Sequence, residues 1–258
     1  MHSQYKGLAK ARIIMNDYEV DKDSLIQLVV FIELANNWHI YWKNPGESGI
    51  PTSIDWITQD GFQFIEEYWP IPKEFEYEGV VSYGYENQAL FIIDIILPRI
   101  INSSMLNISA KIKSLLCKDI CVPFDTTVNF SIDMHKNYSA DESVTGIFSQ
   151  TRKSLPIKSD NKGFLAEVIS DNIYFCIDRS TEYYFLDTLN FISYENGLYK
   201  NSLNQTMVRD EDYLKIILEP DPFRLQPPKE LYGLLVYNLN GDESVSRKAL
   251  EIKIPISQ

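Results

Sequence analysis

Apolar side chains at alternate positions, repeated in short runs along nearly the whole chain, restrict this sequence more than any other feature. In the first half the pattern recurs at 24–35 (SLIQLVVFIELA), 52–57, 62–69, 88–97, 105–117 and 121–132. The runs are rich in Ile, Val, Phe and Tyr and are bounded by Gly, Pro, Asn and Asp, as half-buried strands between turns are. Residues 133–160 turn polar, and within them ADESVTGIFSQTRKSL predicts one short helix, acidic at its start and basic at its end. Alternation resumes at 163–170, 172–178, 183–187, 213–220, 231–239 and 249–256. The expectation is all-β: an antiparallel β-sandwich over 1–135, a short polar, partly helical linker over 136–160, and a second, smaller sandwich over 161–258.

A chain of 258 residues with 45% hydrophobic content fills cores of that size. Its longest apolar stretch, 89–101, is interrupted by Asp94 and Pro98 and falls short of the ~20 residues of a spanning helix, so no membrane span is expected. The start shows no signal peptide, and a mature exported chain would read the same way. A formal charge of −12 with no compensating basic run makes nucleic acid an unexpected partner.

Three cysteines are too few for a disulfide-built scaffold, so the pair in LLCKDICVPF is judged on its spacing. If 105–117 and 121–132 are adjacent antiparallel strands, Lys118, Asp119 and Ile120 form a three-residue hairpin loop and Cys117 faces Cys121. Facing strand residues have Cα atoms roughly 4.5–5.5 Å apart, within disulfide range. So short a loop makes the bridge a poor staple but leaves the sulfurs close in both redox states, which favours exchange chemistry. Lys118 would support a thiolate and Asp119 oppose it. Pro123, unable to donate to a ladder, suggests a sheet edge. Three other readings stay open: a metal site, for which His2, His39 and His135 offer no paired spacing; two buried free thiols; and a purely structural bridge. Cys176, alone in the apolar run NIYFCID, reads as a core thiol.

Two other segments are dense in aromatics. In 36–56, Trp38, Tyr41, Trp42 and Trp56 surround Pro45, Gly46, Gly49 and Pro51, and read as a core clamp on a long turn more than as a binding groove; His39 there reads as structural. The segment 77–88, YEGVVSYGYENQ, is either an ordinary hairpin or a mobile loop that places Tyr83 or Tyr85 over a reactive sulfur.

Taken together, WHIYWKNPGESGIPTSIDW, WPIPKEF, SYGYENQALF and CKDICVP resemble the DsbD N-terminal domain family, including its ScsB-like and stand-alone alphaproteobacterial members. The resemblance spans about residues 7–132 and is weaker over 160–258. It implies immunoglobulin-like sandwiches and a periplasmic, exported protein. It also implies that Cys117 and Cys121 take electrons from a membrane donor of the DsbD or ScsB type and pass them to disulfide-bonded substrate proteins. Cys121 would attack and Cys117 resolve, Lys118 and Asp119 would tune the exchange, and the Tyr83–Tyr85 segment would cap the site. No cofactor and no metal are implied. The sequence departs from DsbD in having closer cysteines, no transmembrane carrier and no thioredoxin-like domain, so the electrons must come from another protein. The competing expectation is a non-catalytic β-sandwich binding module with a structural disulfide.

Overall fold

Strands carry almost all the regular structure of the computed structural model, which describes residues 7–19, 25–58, 63–97, 104–202, 204–238 and 247–257. His2 and the 98–101 end of the longest apolar run lie outside these residues. The chain divides into two compact units. One contains Met1–Lys43, Gly49–Lys73 and Gly84–Leu155; the other contains Asn44–Ser48, Glu74–Tyr83 and Pro156–Gln258.

The first ten strands are β1 (Ala9–Met15), β2 (Leu25–Leu34), β3 (His39–Gly46), β4 (Ser53–Thr58), β5 (Gln63–Tyr68), β6 (Lys73–Tyr77), β7 (Val80–Glu86), β8 (Gln88–Ile96), β9 (Met105–Cys117) and β10 (Cys121–Asp133). They form one sheet in the order β1-β2-β8-β5 and another in the order β10-β9-β3-β7-β6, with β4 also paired to β9. Leu28, Val30, Ile32, Phe91, Ile93 and Ile95 of the first sheet are buried, as are Ile40, Trp42, Ile108, Ile112 and Leu116 of the second. Phe91 meets the rings of Trp69 and Tyr85 at 4.3 and 5.4 Å.

Helix α1 (Glu142–Lys153) explains why β2 and β8 read as nearly continuous apolar runs. Its Phe148 packs with Val29, Phe31 and Ile92, so that sheet is covered on both faces. Asp141 caps the helix by accepting a hydrogen bond from the Val144 N–H at 3.0 Å. At the other end Arg152 donates to the Gln27 side chain. Gln27 in turn donates to the Asp94 carboxylate at 2.8 Å, and the Tyr68 hydroxyl donates to its other oxygen at 3.1 Å. The helix expected in a linker is thus fixed to the first unit.

The second unit holds β11 (Ile157–Lys158), β12 (Phe164–Ile169), β13 (Asn172–Asp178), β14 (Leu189–Ser193), β15 (Thr206–Arg209), β16 (Tyr213–Leu218), β17 (Glu230–Asn238) and β18 (Arg247–Ser257). Their order is β14-β17-β18-β12-β13-β16-β15, around a core that includes Ile173, Phe175, Ile216, Leu235 and Ile252. Two details differ from the sequence reading. Strand β18 pairs in parallel with β11 and β12, because the C-terminal strand returns to the start of the unit by a long connection. Residues 182–185 form a 3-10 turn where 183–187 promised a strand; five residues of aromatic alternation do not distinguish the two. The early segments assigned to this unit are tied into it: Asn44 Nδ2 donates to the Ser193 carbonyl at 2.8 Å, and Arg247 pairs with Glu74 at 2.5 Å.

Candidate functional site

The β9–β10 hairpin has an unbroken antiparallel register from Asp133 opposite Met105 to Cys121 opposite Cys117. Lys118, Asp119 and Ile120 close it as an exposed three-residue loop, with the Lys118 N–H donating to the Ile120 carbonyl at 3.1 Å. Cys117 and Cys121 are joined by a disulfide, with their Cα atoms 4.2 Å apart. The paired-thiol geometry read from the spacing is therefore present.

The two ends of the bridge differ in environment. Along β9 the buried residues alternate through Leu106, Ile108, Ala110, Ile112, Ser114 and Leu116. Cys117 follows Leu116 directly, so it points to the opposite face of the sheet, yet it is only 2% exposed. Cys121 is exposed. A thiolate approaching from solvent therefore reaches Cys121 first. Its strand β10 is the terminal strand of its sheet, with Pro123 exposed opposite Leu115.

On the other side of β9, β4 pairs along Ser53–Thr58, and β3 then meets β9 at one register pair, His39 opposite Cys117. Cys117 thus stands between Cys121 and His39. Burial holds the His39 imidazole below its ordinary pKa, with Glu86 acting in the opposite direction. The Tyr41 ring, two residues along the same face of β3, stands edge-on to His39 at 5.3 Å. Backing Tyr41 is Gly49, at φ +92°, where a Cβ would lie 2.3 Å from the Tyr41 ring. Thr52 completes the clamp by donating to the Tyr41 carbonyl at 2.5 Å and sharing a 2.7 Å hydrogen bond with the Ser114 hydroxyl.

The aromatics of 36–56 are engaged in packing. Tyr41 and Trp42 are buried, and Trp56 and Trp69 donate through their indole N–H groups to the two oxygens of Glu67, at 2.9 and 2.7 Å. The segment 77–88 resolves into a hairpin: Glu78 and Gly79, both at positive φ, join β6 to β7. Tyr83 and Tyr85 lie within β7 at 1% and 6% exposure, and the Tyr85 hydroxyl donates to the Pro70 carbonyl at 2.8 Å. Of the two readings of 77–88, the hairpin is the one observed, and the rings of Tyr83 and Tyr85 are buried on an ordered strand rather than carried on a mobile loop. Cys176 is buried, and burial together with Glu167 pushes its thiol up to about 11. Among the described residues no group of three or more His, Cys, Asp or Glu is placed to hold a metal, and no helix is long and apolar enough to cross a membrane.

The sequence reading found both cysteines but set His39 aside as structural. What brings it to Cys117 is the register of β3 against β9, which no local pattern in 36–46 encodes.

Residues 10–131 match the model of the N-terminal domain of thiol:disulfide interchange protein DsbD. The fold is similar to that of the N-terminal periplasmic domain of ScsB from Proteus mirabilis, with a TM-score of 0.62 and 18% identity over 96% of this chain and 92% of that one. Spo0M, a sporulation control protein from Bacillus subtilis, aligns over 96% of this chain and 91% of its own at 11% identity, with a TM-score of 0.21. No curated protein matches the chain.

Proposed function

From the premise that residues 10–131 are a DsbD N-terminal family domain, a thiol:disulfide interchange domain with a bonded cysteine pair, we propose that the chain is a periplasmic reductase relay. It takes two electrons from a dithiol of a membrane donor protein and delivers them to disulfide-bonded substrate proteins. In the reduced protein the Cys121 thiolate attacks a substrate disulfide and forms a mixed disulfide while one substrate thiolate leaves. Cys117 then attacks Cys121 Sγ, the second substrate thiolate leaves, and the Cys117–Cys121 bond is restored for the donor to reduce. The observation that carries this reading is the exposed Cys121 bonded to a buried Cys117 at a three-residue hairpin. The exposure of Cys121 supports its taking the intermolecular step, and the burial of Cys117 supports its taking the intramolecular one. Lys118 and Asp119, exposed beside the pair, tune the exchange, and the second unit docks partners.

The test is the reduction potential of the pair, obtained by equilibration in glutathione or dithiothreitol buffers and thiol counting by mass spectrometry. A value above about −250 mV, in the range of exchange proteins, is expected. A value below about −300 mV would make the bridge a structural clip.

A further inference from the structure

In the resolving step a buried thiol must lose its proton. Cys117 is 2% exposed, so water is a poor acceptor for that proton, and burial of a thiol in apolar surroundings disfavours the thiolate. A group able to take the proton must lie on the same sheet face and within side-chain reach. The register supplies one candidate: His39, the residue opposite Cys117 on β3. Facing antiparallel partners have Cβ atoms about 4.5–5.5 Å apart on one face, a gap that an imidazole spans toward a sulfur. Cys121 flanks Cys117 on the other side, so the electrophilic sulfur and the proton acceptor approach it from opposite strands.

We propose that His39 is the proton acceptor for the Cys117 thiol in the resolving step. The inference rests on the exchange reading above and adds to it a residue outside the cysteine motif. The balance is complete within the mixed disulfide. The proton moves from Cys117 Sγ to an imidazole nitrogen, the Cys117 electron pair forms the bond to Cys121 Sγ, and the bond from Cys121 to the substrate sulfur breaks. The substrate leaves as a thiolate, and the imidazolium returns its proton to solvent or to that thiolate. In the reverse direction, reduction by the donor, the same imidazolium protonates the departing Cys117.

The surroundings suit this role. Half-burial lowers the affinity of the ring for a proton, which favours the neutral imidazole that a proton acceptor needs. Three titratable groups are set against it: Cys117 from β9, Tyr41 from its own strand and Glu86 from β7, while Lys118 and Asp119 are exposed in the loop that follows Cys117. Glu86, which acts against burial on the ring, is itself paired with Lys73, whose Nζ lies 3.2 Å away. The edge-on Tyr41 ring fixes the imidazole laterally, and Gly49 leaves room for Tyr41 behind it.

The experiment is stopped-flow oxidation of the fully reduced protein by oxidised glutathione between pH 5.5 and 9.5, with quenched-flow mass spectrometry separating mixed-disulfide formation from resolution. For the wild type, the resolution rate should rise to a plateau at or below pH 6.5 and stay level toward the thiol range. In His39→Gln, resolution at pH 7 should slow by about 10- to 100-fold and climb tenfold per pH unit, meeting the wild type between about pH 8 and 9, while mixed-disulfide formation at Cys121 is unchanged. Equal resolution rates at pH 7, or a deficit that persists unchanged to pH 9.5, would overturn the assignment. If the variant folds poorly, the wild-type profile decides alone: a rate rising tenfold per unit from pH 6 to 9 excludes His39. A wild type that forms no mixed disulfide at any pH removes the exchange reading itself, which is a distinct result from normal resolution in His39→Gln.

Discussion

Cys117 and Cys121 share one disulfide, yet the first is buried and the second is exposed. The difference follows from their positions. Cys117 ends a strand flanked on both sides, whereas Cys121 begins a strand at the edge of its sheet.

That asymmetry sets an order of chemical reactivity. In the reduced protein at pH 8, iodoacetamide should alkylate Cys121 first, Cys117 at least tenfold more slowly, and Cys176, with its thiol pushed up to about 11 and 1% exposure, only on unfolding. Peptide mapping over a time course gives the order. Faster modification at Cys117 than at Cys121 would reverse the roles assigned to them.

Gly49→Ala should destabilise the protein by about 1–3 kcal/mol, since it combines a left-handed backbone with a new methyl group against the Tyr41 ring. Urea denaturation measures the loss. Because Tyr41 supports His39, resolution at pH 7 should slow in the same variant while alkylation of Cys121 stays unchanged.

Phe148→Ala should cost about 3–5 kcal/mol, the expectation for an aromatic ring removed from a packed site. Hydrogen exchange should show the amides of α1 losing protection ahead of those of β2 and β8. A loss of under 1 kcal/mol would mean that the helix does not depend on this contact.

The cap of α1 is pH-sensitive. Hydrogen bonds from Ser143 and the Val144 N–H hold the Asp141 carboxyl below its ordinary 3.8. A carboxylate with a depressed folded-state value stabilises the protein above its unfolded-state value and ceases to do so as pH falls through the folded one. Asp141→Ala should therefore be less stable than wild type at pH 6, with the difference shrinking below pH 4. Thermal melts across that range check it, and a difference independent of pH would rule out the ionised cap.

The hairpin, its three-residue loop and its edge position were legible because they rest on local rules: alternation in 105–117 and 121–132, loop length, and a proline that cannot pair. Helix α1 was legible from its acidic start and basic end. Three features were not legible. The covering of β2 and β8 by Phe148 depends on where the helix docks, and the same apolar run suits a strand buried on one face or on both. The adjacency of His39 and Cys117 depends on a register across 77 residues of intervening chain. The burial of Tyr83 and Tyr85 depends on β7 being covered on both faces, with Val81 to Tyr85 all buried, which a short run rich in Tyr and Gly does not reveal.

The hydrogen bond from Asn44 to Ser193 spans 149 positions, and the pair of Glu74 with Arg247 spans 173. The second unit thus includes pieces that the ribosome makes early and partners that it makes late. At about 5–20 residues per second, Asn44 waits roughly 7–30 s before its acceptor exists. Only for the last part of that interval, after Asp133 and before Ser193, does the nascent chain carry the whole cysteine hairpin beside an unfinished second unit.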